Sequence, residues 1–323
     1  MNVLVTGGAG YIGSHTCKAL ARAKHSPVVY DNLSCGHEWA VKWGAFEKAD
    51  LADQKKLIEV IRRHRIEAVM HFAASCYVGE SVTKPDLYYQ NNVLGSLTLL
   101  NAMRETGVKR LVFSSTCATY GNPIRIPIDE SHPQRPVNPY GNTKLMVEMM
   151  LHDFQLAYGI RSVSLRYFNA TGADPEGEIG ETHQPETHLI PLALEAALGK
   201  RDHLTIFGQD FDTKDGTCQR DYIHVSDLAT AHVLALNALQ NGSASSAYNL
   251  GSGNGFSVKE VISTVERVTG RKVPVELGAR RPGDPPTLVA ESSKIRRELA
   301  WKPEFESLET MVETAWRWSA SRG

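Results

Sequence analysis

A tyrosine and a lysine four residues apart, Tyr140 and Lys144, carry the most suggestive chemistry in the chain. Residues at i and i+4 share one face of a helix, and the segment 140–158 reads as a helix. An ammonium beside a phenol favours the phenolate. A group whose ordinary pKa is about 10 is thereby drawn toward the range of a base that can take a hydroxyl proton near neutral pH. Upstream, Ser114-Ser115-Thr116 closes a short apolar run. A hydroxyl at such a strand end lies where open α/β sheets bind their ligands. The same Tyr-x-x-x-Lys spacing also occurs on ordinary helices, so its weight comes from the company it keeps.

That company begins at Gly7-Gly8-Ala9-Gly10-Tyr11-Ile12-Gly13, which follows the first apolar run and opens the first helical segment. Gly7, Gly10 and Gly13 permit a tight turn and close backbone approach to a pyrophosphate, and the helix start at Tyr11 and Ile12 offers unpaired N–H groups to an anion. The second apolar run ends in Asp31, at the expected distance from the glycines. A carboxylate there accepts hydrogen bonds from both adenosine ribose hydroxyls and repels a 2′-phosphate, which favours NAD over NADP. Asp50-Leu51 suits the adenine edge, and Phe72-Ala73-Ala74 suits the wall over the pyrophosphate. Taken alone, these last two read equally well as plain strand ends.

Elements must exist to position these groups. Short, non-alternating apolar runs at Val3–Thr6, Val28–Asp31, Ala68–Ala74, Leu111–Ser115 and Ser162–Phe168 read as parallel strands covered on both faces. Helical segments near 11–24, 53–64, 85–106 and 140–158 separate them. This alternation predicts a Rossmann-type, doubly wound parallel α/β sheet. After Asn169 the pattern loosens. Strands are expected near 204–207, 247–250 and 273–277, with helices near 189–199, 226–240, 257–269 and 307–319. The expected division is a cofactor-binding domain of 1–169 plus 221–251, and a smaller mixed α/β substrate-binding lobe of 170–220 plus 252–323.

Bulk properties set outer bounds. The chain has 323 residues, 42% hydrophobic and 22% charged, with a formal net charge of -1, ordinary values for a globular enzyme. Without a basic bias, no nucleic-acid or membrane partner is expected. The five cysteines, Cys17, Cys35, Cys76, Cys117 and Cys218, are scattered with no C-x-x-C. They read as buried or half-buried thiols of a cytoplasmic protein, with no disulfide framework. Met1 runs into Asn2-Val3-Leu4 without a basic and apolar leader, so no signal peptide is expected. His183 and His188 lie near Glu181 and Glu186. Their spacing lacks a helical H-x-x-x-H register, and no metal is expected. His71 and His224 sit in apolar strands and read as satisfied core histidines.

The glycine turn, Asp31, the Ser-Ser-Thr strand end and Tyr140-x-x-x-Lys144 together resemble the extended short-chain dehydrogenase/reductases. Further strings narrow the resemblance to the branch acting at C4 of UDP-sugars: Val78-Gly79-Glu80-Ser81-Val82, Asn91-Asn92, Arg166-Tyr167-Phe168-Asn169, Arg220-Asp221-Tyr222-Ile223-His224-Val225 and Arg281-Pro282-Gly283-Asp284. The match spans nearly the whole chain. It implies a C4 epimerase that interconverts UDP-glucose and UDP-galactose with tightly bound NAD, through a transient 4-keto sugar. It implies that Tyr140 is the base, that Thr116 hydrogen-bonds the 4-hydroxyl and that Lys144 binds the nicotinamide ribose. Asn32, Asn91, Ser114 and Tyr167 join the cofactor site, Asn169, Arg220 and Arg281 meet the diphosphate, and Asp284 meets the uridine ribose. A homodimer is implied through the helices 85–106 and 140–158, with Leu97, Leu99, Leu100, Met146, Met149 and Met150 as apolar surplus.

Two positions depart from some members of the family: Cys76 stands for a lysine and His188 for an asparagine. A pocket-closing tyrosine of the family falls at Leu288. Related dehydratases carry Asp-Glu after the threonine, whereas Thr116 is followed by Cys117-Ala118, which argues against dehydration. Epimerisation of UDP-xylose/UDP-arabinose or of UDP-N-acetylglucosamine stays open, as alternatives within the same chemistry. A catalytically idle NAD-binding regulator is disfavoured, because Tyr140, Lys144 and Thr116 are all present.

Overall fold

Alternation of side chains across one strand decides which helices can cover it. The computed structural model describes residues 1–281 and 284–322. In it β1 (Asn2–Thr6), β2 (Ser26–Asp31), β3 (Ala45–Lys48), β4 (Ala68–His71), β5 (Arg110–Thr116) and β6 (Arg161–Tyr167) alternate with helices Tyr11–Arg22, Gln54–Arg63, Gly95–Thr106 and Pro139–Tyr158. Successive residues point to opposite faces of a strand. Val3, Val5, Met70, Val112 and Val163 therefore share one fully buried core with Leu20, Leu228 and Leu236 of the helices on that side. Leu4, Val69, Leu111 and Phe113 join Leu57, Leu99, Met103 and Val147 on the other. Each such side chain contributes roughly 1.5–3 kcal/mol on burial. That is why these strands read as unbroken apolar runs.

The chain continues through β7 (Asn169–Thr171), helix Leu189–Leu198, β8 (Leu204–Phe207), β9 (Gln219–His224) and helix Val225–Gln240 to β10 (Ser246–Leu250). It ends with β11 (Gly255–Ser257), helix Val258–Thr269, β12 (Val275–Gly278), β13 (Thr287–Leu288) and helices Ser293–Leu299 and Leu308–Ala320. The large sheet runs β10-β6-β5-β4-β1-β2-β3 and every pair is parallel. The strand order reverses between β1 and β4. Ligands of doubly wound sheets bind at such a point, outside the strands' carboxyl ends. A third core, with Ile190, Leu194, Val261, Val265, Met311 and Val312, fills the lobe built after Asn169.

Three features stand out. β9 pairs with β7, β11 and β13, which puts Gln219–His224 in the four-stranded sheet. The expected helix 85–106 is interrupted by a π-helical segment, Tyr89–Leu94, a wider turn common at functional sites. Cys35 and Cys76 are exposed rather than buried, because both lie in loops at the carboxyl edge of the sheet. Among the described residues no helix is long and apolar enough to cross a membrane.

Candidate active site

Gly7 holds the turn after β1 in a left-handed conformation (φ +73°), and a Cβ there would sit 2.5 Å from the Ala73 nitrogen. A Cβ on Gly13 would fall 2.1 Å from the Gly7 carbonyl oxygen, so only glycine lets the helix start press onto the turn. Gly10 is the N-cap of helix Tyr11–Arg22 and no side chain caps that first turn. A hollow at this open helix start is lined by Gly10, Tyr11, Cys35, His37, Thr182 and His183. Thr182 Oγ1 is buried there without a hydrogen-bond partner among the described residues, a deficit that a polar ligand would fill.

Asp31 is 8% exposed. Its carboxylate accepts from the backbone N–H groups of Ala9 (3.0 Å) and Leu33 (2.8 Å). A carboxylate offers about four acceptor sites, which leaves room for a vicinal diol. Burial pushes its pKa up against those hydrogen bonds. Asn32 donates to the Asp50 carboxylate at 2.7 Å, which joins two expected cofactor residues. Leu51 is buried against Gly95. The backbone N–H groups of Phe72 and Ala73 both donate to the Thr6 carbonyl, drawing the 72–74 segment beside Gly7. Ile12 packs against the first core, while the Tyr11 hydroxyl donates to the Gly172 carbonyl at 2.6 Å. These residues fit a dinucleotide with a diphosphate at the helix start and a diol at Asp31.

Thr116, Tyr140 and Lys144 meet at the end of β5. Pro139 occupies the first turn of its helix and the Asn138 side chain accepts from the Gly141 N–H at 2.8 Å. That cap fixes where the helix begins. A Cβ on Gly141 would lie 2.6 Å from the Ala118 carbonyl oxygen. The glycine inside the Tyr-x-x-x-Lys string thus lets the helix start press onto the turn after Thr116. Lys144 is buried, and its Nζ donates to the Ser114 carbonyl at 2.8 Å. Two of its three donors stay available for a ligand. Ser114 Oγ and the Tyr167 hydroxyl lie 2.7 Å apart. Asn91 donates to Ser75 Oγ at 3.2 Å. Its neighbour Asn92 bonds Ser75 on both N–H and C=O and also reaches Thr143. Asn92 ties the loop after β4 to the Tyr140 helix, a role that spacing alone did not reveal.

Burial dominates the electrostatics of the Tyr140 and Lys144 pair. Burial, then the nearby Tyr167 and Cys76, push the Tyr140 phenol well above 10, and the Thr116 hydroxyl works in the opposite direction. Lys144 Nζ lies 5.9 Å from the Tyr140 ring centroid. Burial brings Lys144 itself down to about 8. Desolvation is thus the largest influence on both groups, and positive charge added beside Tyr140 would work against it.

Arg220 meets Arg281 and Asp284 from a separate part of the chain. Arg220 donates to the Gln219 and Pro285 carbonyls and its Nη2 lies 3.6 Å from Asp284 Oδ1. Arg281 Nε donates to Asp284 Oδ2 at 3.0 Å. Pro282 and Gly283 of the same string lie outside the described residues. Asn169 donates to the Asp221 carbonyl at 2.8 Å. The buried Asp221 carboxylate accepts from the N–H groups of Ser252, Gly253 and Ala290, pinning three segments of this lobe together. Leu288 pairs in register with Arg220 and packs on the cluster of Tyr120, Ile128 and Phe168 that Cys117 also joins. His71 is buried and satisfied by Thr6 and Ser96. His224 bonds Thr314 and caps helix Val225–Gln240.

Comparison with known proteins places this arrangement. UDP-glucose 4-epimerase of Rhizobium meliloti (strain 1021) is 56% identical over 321 residues, covering 99% of this chain and 98% of its own. The crystal structure of UDP-glucose 4-epimerase from Brucella ovis in complex with NAD is 54% identical with a TM-score of 0.96, covering 98% and 97% of the two chains. A Stenotrophomonas maltophila UDP-glucose-4-epimerase, solved with bound NAD and formylated UDP-arabinopyranose, is 41% identical with a TM-score of 0.97, covering 100% and 98%. Residues 3–251 match the family described as NAD dependent epimerase/dehydratase. This chain belongs to the NAD dependent epimerase/dehydratase family.

Proposed function

We propose that the chain is an isomerase that interconverts UDP-glucose and UDP-galactose by inverting C4. The observation that carries this reading is the meeting of Thr116, Tyr140 and Lys144 at the end of β5, in a chain 56% identical to a UDP-glucose 4-epimerase over nearly its full length. When bound, NAD supplies a reversible hydride acceptor and a positively charged ring. Tyr140 takes the proton of the sugar 4-hydroxyl and returns it to the same oxygen once the sugar has turned its other face. Thr116 hydrogen-bonds that oxygen and keeps it in line with the phenol. Lys144 holds the nicotinamide ribose and adds positive charge beside Tyr140. Asp31 binds the adenosine diol. Asn169, Arg220 and Arg281 grip the diphosphate and Asp284 the uridine ribose, so the sugar alone is free to turn over between the two half-reactions. Bidentate guanidinium contacts suit that grip.

Because the hydride returns to the sugar, the cofactor is regenerated in every cycle. Purified protein, denatured and analysed by mass spectrometry, is expected to release close to one NAD per chain. UDP-galactose should be converted to UDP-glucose without added NAD. A need for continuous turnover of added NAD would mark an ordinary dehydrogenase and overturn the reading.

Substrate breadth turns on Leu288, which stands beside Arg220 and packs with Cys117, the residue after Thr116. Leucine there narrows the pocket for a 2-acetamido group. Leu288→Ser is expected to raise kcat/KM for UDP-N-acetylglucosamine relative to UDP-glucose by about tenfold, since relief of overpacking is worth roughly 1–3 kcal/mol. An unchanged ratio would move the gate elsewhere, with Cys76 next.

The chain assembles as a homodimer in this reading. Met146, Met149 and Leu156 of helix Pro139–Tyr158 are exposed, as is Leu94 at the start of the neighbouring helix. Leu99 and Leu100, expected at the surface, are buried in the core, and Met150 packs against it. Light scattering at micromolar concentration should give twice 35.6 kDa, and Met149→Glu should shift the mass toward the monomer. A monomer mass for the unaltered chain counts against the pairing.

A further inference from the structure

Glu181, His183, Glu186 and His188 lie in an irregular segment just before helix Leu189–Leu198. Their spacing has no helical register, yet one donor atom from each lies within 4.8 Å of the donor atoms of all the others. Glu181 Oε1 is 2.9 Å from His183 Nδ1 and 2.9 Å from His188 Nδ1. Glu186 Oε1 is 2.9 Å from His188 Nδ1, and its Oε2 is 3.7 Å from His183 Nδ1. Both imidazoles thus turn the same nitrogen toward the same two carboxylates. An Nδ1 carries at most one proton, and one proton cannot point well at two oxygens 2.9 Å away. A single cation can serve all four groups. With ligand bonds of about 2.0–2.2 Å, the edges of a tetrahedral site come to about 3.4 Å, and the observed separations of 2.9 to 3.7 Å bracket that value.

The surroundings hold the donors in place. The N–H groups of Thr187 and His188 donate to Glu186 Oε1 at 2.7 and 2.8 Å. The His183 ring is flanked edge-on by Tyr11 and Tyr77. Such outer contacts orient ligands before a metal arrives. Both glutamate side chains are 7% exposed and His183 15%, whereas His188 is 41% exposed, which leaves an entry path from solvent. Two carboxylates and two neutral imidazoles balance a dication.

We propose that Glu181, His183, Glu186 and His188 form a His₂Glu₂ site for one divalent transition-metal ion, with Zn²⁺ the best match to this donor set. The ion pins the 181–188 segment, whose Thr182 and His183 line the hollow at the start of helix Tyr11–Arg22. It acts on the shape of that hollow and takes no part in the proton and hydride chemistry.

The test uses the nucleotide-bound protein, stripped with a chelator and titrated with Zn²⁺ by calorimetry and with Co²⁺ by visible absorption. One ion per chain is expected, with the intense bands of four-coordinate cobalt and with release of protons from the histidines, read as a buffer-dependent heat. Glu186→Gln and His183→Gln are each expected to weaken Zn²⁺ binding by about 100-fold or more, beyond the loss typical of an outer partner, with the far-ultraviolet circular dichroism unchanged. Weak six-coordinate cobalt bands, or a Zn²⁺ affinity unmoved in both variants, would reduce the cluster to a set of histidine–glutamate ion pairs and overturn the proposal. The cobalt spectrum of the unaltered protein decides the question even where a variant fails to fold.

Discussion

Tyr140→Phe is expected to lower kcat for UDP-galactose by about 10²–10⁴-fold, the usual cost of losing a general base, while UDP binds nearly as before. The ring of Tyr140 is packed at the sheet edge, edge-on to Tyr88, and phenylalanine preserves that packing. Only the hydroxyl disappears, and with it the group that faces Thr116. The groups assigned to UDP, Arg220, Arg281 and Asp284, are paired with one another and none contacts the phenol. A split between a collapsed kcat and a stable UDP dissociation constant is therefore the signature. Turnover within a few-fold of the unaltered enzyme would remove Tyr140 from the base role.

Glu148→Ala should be the most damaging change to stability outside the apolar cores, at about 3–5 kcal/mol. Glu148 lies one turn beyond Lys144 on the same helix, and its carboxylate is engaged by Arg166 through Nε and Nη2. Ser115 and Gln134 also donate to it. The side chains of Glu148 and Arg166 are 9% and 8% exposed. Alanine leaves the guanidinium buried with the Tyr120 hydroxyl as its remaining side-chain partner at 3.0 Å. An uncompensated charge in that position costs far more than a surface pair is worth. Urea unfolding of the NAD-bound protein measures the loss. A change below about 1 kcal/mol would place the pair with the solvent-screened ones. The same substitution removes a carboxylate that supports the charge on Lys144 against burial, so activity should fall along with stability.

Part of this protein is legible from the order of its residues, because the causes are local. The parallel strands are legible since burial on both faces leaves no polar alternation in Val3–Thr6 or Leu111–Phe113. The glycine turn is legible since its backbone excludes a Cβ, as the close approaches at Gly7 and Gly13 make plain. Tyr140 and Lys144 face one way because a helix repeats every 3.6 residues. Family likeness extended this to the nearly complete chain, since the strings it rests on run from Gly7 to Asp284.

Burial and contacts between distant residues settled the rest. Spacing puts a lysine beside a phenol, but how far burial desolvates the two groups depends on the packing around them. Spacing gives no reason to pair Arg220 with Asp284, or to assign Asp221 to three backbone N–H groups that come 31 to 69 residues later. Spacing gives no sign of the π-helical interruption of the 85–106 helix at Tyr89, nor of the burial of Leu99 and Leu100. The four donors between Glu181 and His188 carry no periodic signature, because irregular backbone, and not a helix, brings them together. In each case the deciding quantity is a distance across the fold or the loss of water around a charge, and neither is written into the order of neighbouring residues.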